Sequence, residues 1–368
     1  MSTLFKKLPS FATDYSGFLS VMHGLGGMMV VYDPSGCLGN YTNCDEPRWY
    51  SDPGPVYTAN LRELEAVCGD QETLIEKVVN TAGMLHPEFI CILMTPVPSL
   101  VGFDIDTAAQ SMSDRCDIPC FGIHTDGFCF YNDGISRALD LIYTCLSDNS
   151  PVSVPGSVNV LGMTPLDYHI FGEEKKMASL ISGEGWKVNC FLGMGNDYRA
   201  VKRLRAAEKN IVMSAAALPL AKRMLADDGI PFWVGPPYGE SGVLELKAFL
   251  HNSESDQPCS CTTGPKILVI GEQACANAIR RAYSYRYPAS DITVASFFGI
   301  DPDIAMPGDK ELTDEKDLKI FLSENPYETV VGDPLFAPFC PEQTRFVEMP
   351  HPAVSSKLHW NHYMSLIG

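Results

Sequence analysis

Short apolar segments alternate along the chain with longer segments in which apolar positions recur every three to four residues. The short segments predict buried strands of parallel sheets, and the longer ones predict amphipathic helices that cover those sheets. The predicted strands are Met28–Tyr32, Phe89–Thr95, Cys120–His124, Ser157–Leu161, Lys187–Phe191, Asn210–Ser214, Lys266–Ile270, Asp291–Phe297, Thr329–Val331 and Thr344–Glu348. Alternating strands and helices are typical of βαβ units, so the pattern predicts an α/β fold.

The predicted helices lie in the intervals between these strands. They are Asn60–Ala82, Thr107–Arg115, Asp197–Glu208, Ala217–Ala226 and Cys275–Tyr285. Several strands end in a small residue that leads directly into a helix, as at Gly162 and Gly271. Because ligands of open parallel sheets bind at the carboxyl ends of the strands, we expect functional residues at this edge.

Two polar, proline-containing stretches divide the chain into three α/β segments. The first stretch is Ser147–Gly156, and the second, longer one is Asn252–Pro265. We therefore predict domains over residues 1–150, 151–258 and 259–368. A chain of 368 residues is long enough for two or three such domains.

Composition and charge narrow the classes of function. The chain has 45% apolar and 20% charged residues, as expected for a globular protein with a full core. Its 27 basic and 45 acidic side chains give a net charge of −18, which argues against a nucleic-acid or anionic-membrane partner. The most apolar stretch, Ser16–Tyr32, is too short and too rich in glycine to span a bilayer. The N-terminus shows no signal peptide, so we expect a cytoplasmic protein whose 13 cysteines are mostly free thiols.

The loop over Asp33–Tyr50 is the strongest candidate for a functional site. The chain has no GxxxxGK(S/T), HExxH or GxSxG motif, so ATP hydrolysis is not expected of it. The loop follows a predicted strand, is too polar for a core, and contains Cys37 and Cys44. Cys37 follows Gly36 just past the strand, where backbone amides are expected to hydrogen-bond a thiolate or a cluster sulfur. A ligand loop and a tight turn around a buried thiol are both compatible with this sequence.

The other cysteines have simpler interpretations. Cys116, Cys120 and Cys129 surround a predicted strand and are assigned to the core, as is Cys275 at a predicted helix start. The Cys-Ser-Cys triplet at residues 259–261 lies in a polar interdomain stretch, where it would bind metal only with ligands from elsewhere.

The sequence resembles component 1 of nitrogenase and the related protochlorophyllide, chlorophyllide and nickel-sirohydrochlorin reductases. The resemblance covers nearly the whole chain and lies in His23–Cys37 with Arg48, Met94–Asp106, Val158–Gly162, Asn210–Trp233 and Met349–Tyr363. It implies three doubly wound, Rossmann-like α/β domains per subunit. It also implies a homodimer or heterodimer of homologous subunits with an iron–sulfur cluster at their interface. A separate P-loop ATPase iron–sulfur protein would deliver low-potential electrons under anaerobic conditions.

The family's cluster ligands are only partly present. Cys37 lies where the family has its central interface thiolate, but the first thiolate falls near Asp14–Ser16 and the third falls on Pro96. A six-thiolate cluster of the nitrogenase kind is therefore not expected. Two chains that each contribute Cys37 and Cys44 would supply the four thiolates of a 4Fe–4S cluster. The alternatives are a larger cluster, a cluster held by Cys37 alone from each chain, and a cluster held by Cys37 with non-cysteine groups. The neighbouring residues assigned to the cluster's surroundings are Gly36 and Arg48.

The family's second cofactor site also differs in this chain. The cysteine that holds that cofactor aligns with Ser214, and the histidine at its far end aligns within one residue of His359. A nitrogen-fixing cofactor is therefore not expected. The candidate proton donors of a pocket between the domains are His359, His351 and Asp126.

Three functions are compatible with these residues. The resemblance implies an ATP-dependent reductase whose interface cluster passes electrons to a substrate that the sequence does not identify. The second hypothesis is a scaffold on which a metallocluster matures without turnover, because loss of the family thiolates suits a carrier. The third is a metal-free binding protein of the same fold.

Overall fold

The computed structural model of the protein describes residues 6–149, 152–168, 172–254 and 264–368. The strands are β1 Met28–Tyr32, β2 Val56–Thr58, β3 Ile90–Met94, β4 Cys120–Ile123, β5 Val154–Met163, β6 Lys187–Gly193, β7 Ala207–Val212, β8 Phe232–Val234, β9 Lys266–Ile270, β10 Asp291–Ser296, β11 Lys310–Glu311, β12 Thr329–Gly332 and β13 Arg345–Glu348. The α-helices are α1 Asp14–Met22, α2 Gly36–Asn40, α3 Glu63–Cys68, α4 Gln71–Leu85, α5 Pro96–Leu100, α6 Ile105–Cys116, α7 Tyr131–Leu141, α8 Glu173–Gly183, α9 Tyr198–Lys202, α10 Leu218–Asp228, α11 Gly239–His251, α12 Gln273–Arg286, α13 Glu315–Glu324 and α14 Pro352–Ser355.

These strands form three parallel sheets, with the orders β2-β1-β3-β4, β6-β5-β7-β8 and β11-β10-β9-β12-β13. In each sheet the first strand along the chain lies inside, and later strands add on both of its sides. Where the strand order reverses, a crevice opens at the carboxyl ends of two neighbouring strands. These strands are β1 and β3 in the first sheet, β5 and β7 in the second, and β9 and β12 in the third. The predicted fold class of three doubly wound parallel sheets is confirmed. The boundaries after residues 150 and 258 fall between the sheets and remain predictions.

Two predicted helices are wrong in extent. The helix expected over Asn60–Ala82 is split into α3 and α4, because Gly69 ends α3 with a left-handed φ of +63° and the Asp70 side chain caps α4. The helix expected over Asp197–Glu208 ends with α9 and a short 3-10 turn, because the chain from Ala207 onward pairs with β5 as strand β7. The sequence pattern also misses β2, β8 and β11, which are only two or three residues long.

Helices α1 and α7 make a close backbone contact. All nine residues of α1 are buried. A Cβ on Gly134 would lie 1.7 Å from the Asp14 carbonyl oxygen, and a Cβ on Gly17 would lie 1.9 Å from the Tyr131 carbonyl oxygen. Glycine is therefore required at both positions, because a larger residue would force the helices apart. The contact fixes the start of α1 relative to the start of α7.

None of the described helices is long and apolar enough to cross a bilayer.

We expect Gly134→Ala to destabilise the fold by about 3 kcal/mol or more, because its methyl group overlaps a buried backbone oxygen. The matched control is Gly83→Ala in the interior of α4, where an added Cβ meets no atom within 4 Å. That change should stabilise the fold by about 0.5–1 kcal/mol. Urea unfolding followed by circular dichroism measures both variants. Equal effects of the two substitutions would contradict the close contact.

Candidate functional site

Two groups of side chains, most of them polar, lie near the carboxyl ends of the strands. The first, named the Cys37 site, lies at the crevice of the first sheet and consists of Tyr15, Asp33, Cys37, Thr95 and Pro96. The second, named the junction, lies where the second and third sheets meet α7 and consists of Tyr131, Asp167, Glu272, Cys275 and His351.

Asp33 organises the loop that follows β1. Its buried carboxylate accepts hydrogen bonds from the backbone N–H groups of Cys37 and Leu38, at 2.8 and 3.2 Å, and from the Thr58 hydroxyl at 2.7 Å. Because Asp33 takes both of these amides, they do not serve the Cys37 sulfur, and the expectation that backbone amides hydrogen-bond this sulfur stays a prediction. Gly36 begins α2 at the exposed end of this loop, and a Cβ built on it meets no atom within 4 Å.

The Cys37 thiol is half-buried and faces the hydroxyl groups of Tyr15 and Thr95. Burial raises the pKa of this thiol, a nearby carboxylate raises it further, and the two hydroxyls act in the opposite direction. Pro96 closes the same space, since a Cβ on Gly127 would lie 3.0 Å from Pro96 Cδ and 3.1 Å from Tyr15 Cε1. The structure thus brings together the positions at which the resemblance implies three thiolates, and Cys37 is the cysteine among them.

The second predicted cluster ligand, Cys44, lies on a π-helical turn over Tyr41–Asp45 that continues α2, and it is half-buried. The described residues contain one group of three His, Cys, Asp or Glu ligand atoms within 4.8 Å of one another, and its members are Asp14, Asp126 and Cys129. Neither Cys37 nor Cys44 belongs to it. Thiols fit an iron–sulfur cluster chemically, but this edge of one chain offers no closed ligand set. The pairing of two chains around Cys37 and Cys44 stays a prediction.

Asp126, a predicted proton donor, lies beside the Cys37 site and not at the junction. Its backbone N–H and that of Gly127 donate to the buried Asp14 carboxylate at 2.8 and 2.9 Å. Burial raises the pKa of Asp14, although these hydrogen bonds oppose the change. The Asp126 carboxylate in turn accepts the Phe128 N–H at 2.7 Å. Both carboxylates therefore already have protein partners.

Arg48 forms a buried, two-pronged ion pair with Glu46. Its Nε and Nη2 each lie 2.7 Å from a Glu46 oxygen, and further bonds reach the Ser20 carbonyl at 2.7 Å and the Gly193 carbonyl at 2.9 Å. Burial opposes ionisation of Glu46, but the Arg48 guanidinium lowers its pKa overall. Arg48 therefore ties α1 to the end of β6. Its assignment to the surroundings of a cluster stays a prediction.

The junction is assembled from strand ends of two sheets and from the start of α7. Asp167 follows β5, Glu272 follows β9, and His351 follows β13. The His351 backbone N–H donates to the Asp333 carboxylate after β12 at 2.8 Å. Tyr131 reaches this point as the first residue of α7. The site therefore exists only when the second sheet, the third sheet and α7 are in place together.

Tyr131, Asp167 and His351 form a buried hydrogen-bonded group. The Tyr131 hydroxyl donates to Asp167 Oδ1, and His351 Nε2 lies 3.0 Å from the same oxygen and 3.2 Å from the hydroxyl. Because the tyrosine proton goes to Asp167, Nε2 is the imidazole nitrogen that carries a proton. His351 Nδ1 and Asp167 Oδ2 are buried without a hydrogen-bond partner among the described residues. Buried polar atoms are normally satisfied, so these two point to a group that binds at the junction.

Two further titratable groups border this triad. The Glu272 carboxylate accepts the backbone N–H groups of Ala215 and Cys275 at 2.7 and 2.9 Å. Burial, and then the Asp167 carboxylate, raise the pKa of Glu272. The Cys275 thiol lies 3.4 Å from the Tyr168 hydroxyl, to which it donates. The sequence analysis did not select Tyr131, Asp167 or Glu272, and their positions at strand and helix ends are the signal that would have identified them.

The residues that align with the family's second cofactor site lie on different elements. Ser214 is fully buried after β7, and its hydroxyl oxygen accepts the Ala216 N–H at 3.3 Å. His359 lies in the 3-10 helix over Ser356–His362, and its ring centroid is 6.3 Å from that of His362. Of the three predicted proton donors, His351 alone lies at the junction.

The fold and these two sites define a class of α/β protein with three doubly wound sheets, a thiol at the first crevice and a buried polar junction between the others. Residues 13–252, more than half of the chain, match the family model of nitrogenase component 1 type oxidoreductases. The chain belongs to that family.

Curated relatives include nitrogenase iron-molybdenum cofactor biosynthesis proteins NifE. The one from Bradyrhizobium diazoefficiens is 26% identical over 217 residues, which cover 57% of this chain and 39% of that protein. The one from Rhodobacter capsulatus is 24% identical over 270 residues, which cover 70% and 55% respectively. The chain spans about half the length of the curated relatives it matches.

Solved structures share the whole architecture. Nitrogenase Cp1 at pH 6.5 superimposes with a TM-score of 0.70 at 15% identity, over 99% of this chain and 91% of that chain. Nitrogenase Cp1 at pH 5 gives a TM-score of 0.63 at 17% identity, over 96% and 78%. At these identities the likeness shows the fold alone.

The buried carboxyl of Asp45 generates a pH-dependent prediction. Asp45 accepts hydrogen bonds from Ser16 and Asn40 at 2.6 and 3.1 Å, and burial raises its pKa from 3.8 to about 6. A carboxyl whose pKa is raised by folding destabilises the fold progressively as pH rises above 3.8, and the penalty is complete above about pH 6. We expect Asp45→Asn to raise the free energy of unfolding by up to about 3 kcal/mol at neutral pH.

Urea titrations between about pH 5 and 8 measure this effect, and the gain from Asp45→Asn should shrink as pH falls. The exposed Asp148→Asn is the control for removing one negative charge. A gain that does not change with pH would show that burial of the Asp45 charge is not its cause.

We expect Arg48→Lys to lower the free energy of unfolding of the iron-free protein by about 3 kcal/mol. Lysine keeps the charge but cannot reach both Glu46 oxygens and the two carbonyls together. The exposed Arg345→Lys is the control and should change stability little. Unchanged stability together with loss of bound iron would instead support the assignment of Arg48 to a cluster.

Proposed function

We propose that this chain is a maturation scaffold that holds an iron–sulfur metallocluster as cargo and releases it, without turnover of its own. The observation that carries the proposal is the donor set of the junction. It offers one oriented imidazole nitrogen, His351 Nδ1, which is buried and has no partner among the described residues. A thiolate that would bind the other end of the cluster is missing, because Ser214 stands where the family's cofactor thiolate aligns.

Each residue of the junction has a defined part in this proposal. His351 Nδ1 would bind a metal atom of the cargo, since imidazole nitrogen is a good iron ligand. Tyr131 and Asp167 hold the opposite ring nitrogen, which fixes the orientation of the ring. Cys275 does not supply the missing thiolate, because burial and then the Glu272 carboxylate raise the pKa of its thiol.

A single imidazole anchor suits cargo that must leave. A thiolate and an imidazole at opposite ends of a cluster hold it at two points, whereas this junction holds it at one. The Cys37 site also has fewer groups to hold a cluster than the resemblance implies, with one thiol in place of three thiolates. The similarity to NifE cofactor biosynthesis proteins, matched over about half of their length, supports this interpretation.

A gain of function tests the proposal most sharply. We expect Ser214→Cys to convert release into retention, because it places a thiol of similar size where the Ser214 hydroxyl oxygen now accepts the Ala216 N–H, and this N–H would stabilise the thiolate that forms when the thiol loses its proton to bound metal. The protein is reconstituted anaerobically with ferrous iron and sulfide, and loss of iron to an excess chelator is followed in time. A fraction of the wild-type iron should be lost rapidly, and Ser214→Cys should slow its loss by at least about tenfold.

His351→Ala should remove the rapidly lost iron, and the exposed His362→Ala is its matched control. The iron at the Cys37 site should disappear in Cys37→Ser and remain in His351→Ala. Iron that leaves His351→Ala at the wild-type rate and in the wild-type amount would overturn the proposal.

The second candidate function is the ATP-dependent reductase. The hydroxyl groups of Tyr15 and Thr95 at the Cys37 thiol favour it, because hydrogen bonds to a ligating sulfur tune the potential of a cluster. A reductase would oxidise a reduced ATPase iron–sulfur partner continuously with substrate. A scaffold would stop once its bound clusters are reduced.

A further inference from the structure

Cys116 and Cys120 face each other where α6 ends and β4 begins. Their sulfur atoms are 3.9 Å apart, and all eleven cysteines that the structure describes are free thiols; the triplet at residues 259–261 lies outside the described ranges. Both residues are half-buried and pack against the core of the first sheet, Cys116 at the end of α6 and Cys120 on the edge strand β4. A small oxidant can therefore reach them.

One backbone carbonyl holds both thiols in place. The Ile118 oxygen accepts from the Ser113 hydroxyl at 3.0 Å and faces the Cys120 and Cys116 sulfur atoms at 3.3 and 3.9 Å. A carbonyl oxygen has two lone pairs, so three donors compete for it. Oxidation that removes both S–H groups leaves Ser113 to satisfy the carbonyl and leaves no buried donor unpaired.

We propose that Cys116 and Cys120 are a reversible disulfide site for low-molecular-weight disulfides of the glutathione class. The Cys116 thiolate attacks one sulfur of the small disulfide, which forms a mixed disulfide and releases one small thiol. Cys120 then loses its proton and attacks the Cys116 sulfur, which releases the second small thiol. In total, two protein thiols and one small disulfide give one protein disulfide and two small thiols.

The order of the two steps follows from the surroundings of the sulfur atoms. The Cys120 sulfur lies 3.3 Å from the Ile118 oxygen and the Cys116 sulfur lies 3.9 Å from it, so Cys120 makes the closer hydrogen bond, keeps its proton and reacts second. Burial raises the pKa of the Cys120 thiol, which acts in the same direction. Once formed, the bond fastens the end of α6 to β4. That strand leads to Asp126 and Gly127, whose amides hold Asp14 beside the Cys37 site.

The test uses the full-length, iron-free protein with excess oxidised glutathione under anaerobic conditions, so its outcome does not depend on the proposed function. Peptide mapping should find a Cys116–Cys120 crosslink lighter by about 2 Da than the two thiols, and dithiothreitol should reverse it. Cys120→Ser should stop at the mixed disulfide on Cys116. Cys116→Ser should modify Cys120 at least about tenfold more slowly than wild type modifies Cys116.

The matched control is Cys68→Ser, which removes an exposed thiol on α3 and should leave the crosslink unchanged. Circular dichroism of each variant confirms that it is folded before oxidation. Two separate glutathione adducts on Cys116 and Cys120, or an unmodified pair in folded protein, would overturn the proposal.

Discussion

The backbone contact between α1 and α7 positions both candidate sites. Gly17 and Gly134 allow the two helices to approach until a Cβ at either position would overlap a carbonyl oxygen. The start of α1 delivers Tyr15 to the Cys37 thiol, and the start of α7 delivers Tyr131 to the junction. Since packed backbones cannot slide without a clash, a shift of one helix would displace groups at both sites together.

The two sites differ in how their buried charges are satisfied. Around the Cys37 site, Asp33 and Asp14 receive backbone N–H groups, and Glu46 receives a two-pronged guanidinium. At the junction, Asp167 and His351 use one polar atom each and keep the other buried without a partner among the described residues. Because an unsatisfied buried polar atom costs free energy, a ligand that supplies the missing partner gains that free energy on binding.

Membership of the nitrogenase component 1 type family limits the function without deciding it. The fold is shared with a solved nitrogenase structure along nearly the whole length of this chain. The curated NifE relatives are matched over about half of their own length. The proposal of a carrier rests on the donor atoms, since a serine stands at 214 and a proline at 96 where the resemblance implies thiolates.

The local pattern of apolar and polar residues predicted most strands of the three sheets and the loop that follows β1. Strands such as β1 and β9 appear at their predicted bounds because buried parallel strands are continuous apolar runs. The helix over Asn60–Ala82 shows the limit of that approach, since the apolar period continues across Gly69 while the backbone turns there. Short edge strands such as β2 were not predicted, because a strand of three residues is too short to show a hydrophobic period.

Tertiary structure decided which side chains meet. Asp167, Glu272 and His351 are far apart in the chain, and parallel strands bring them to one edge through crossovers that no local pattern records. The same folding places Asp126 beside the Cys37 site. Sequence alone therefore determined the fold class and the loop that holds Cys37, because those depend on local hydrophobic period and turn chemistry. The junction depends on contacts between the second sheet, the third sheet and α7, which exist only in the folded chain.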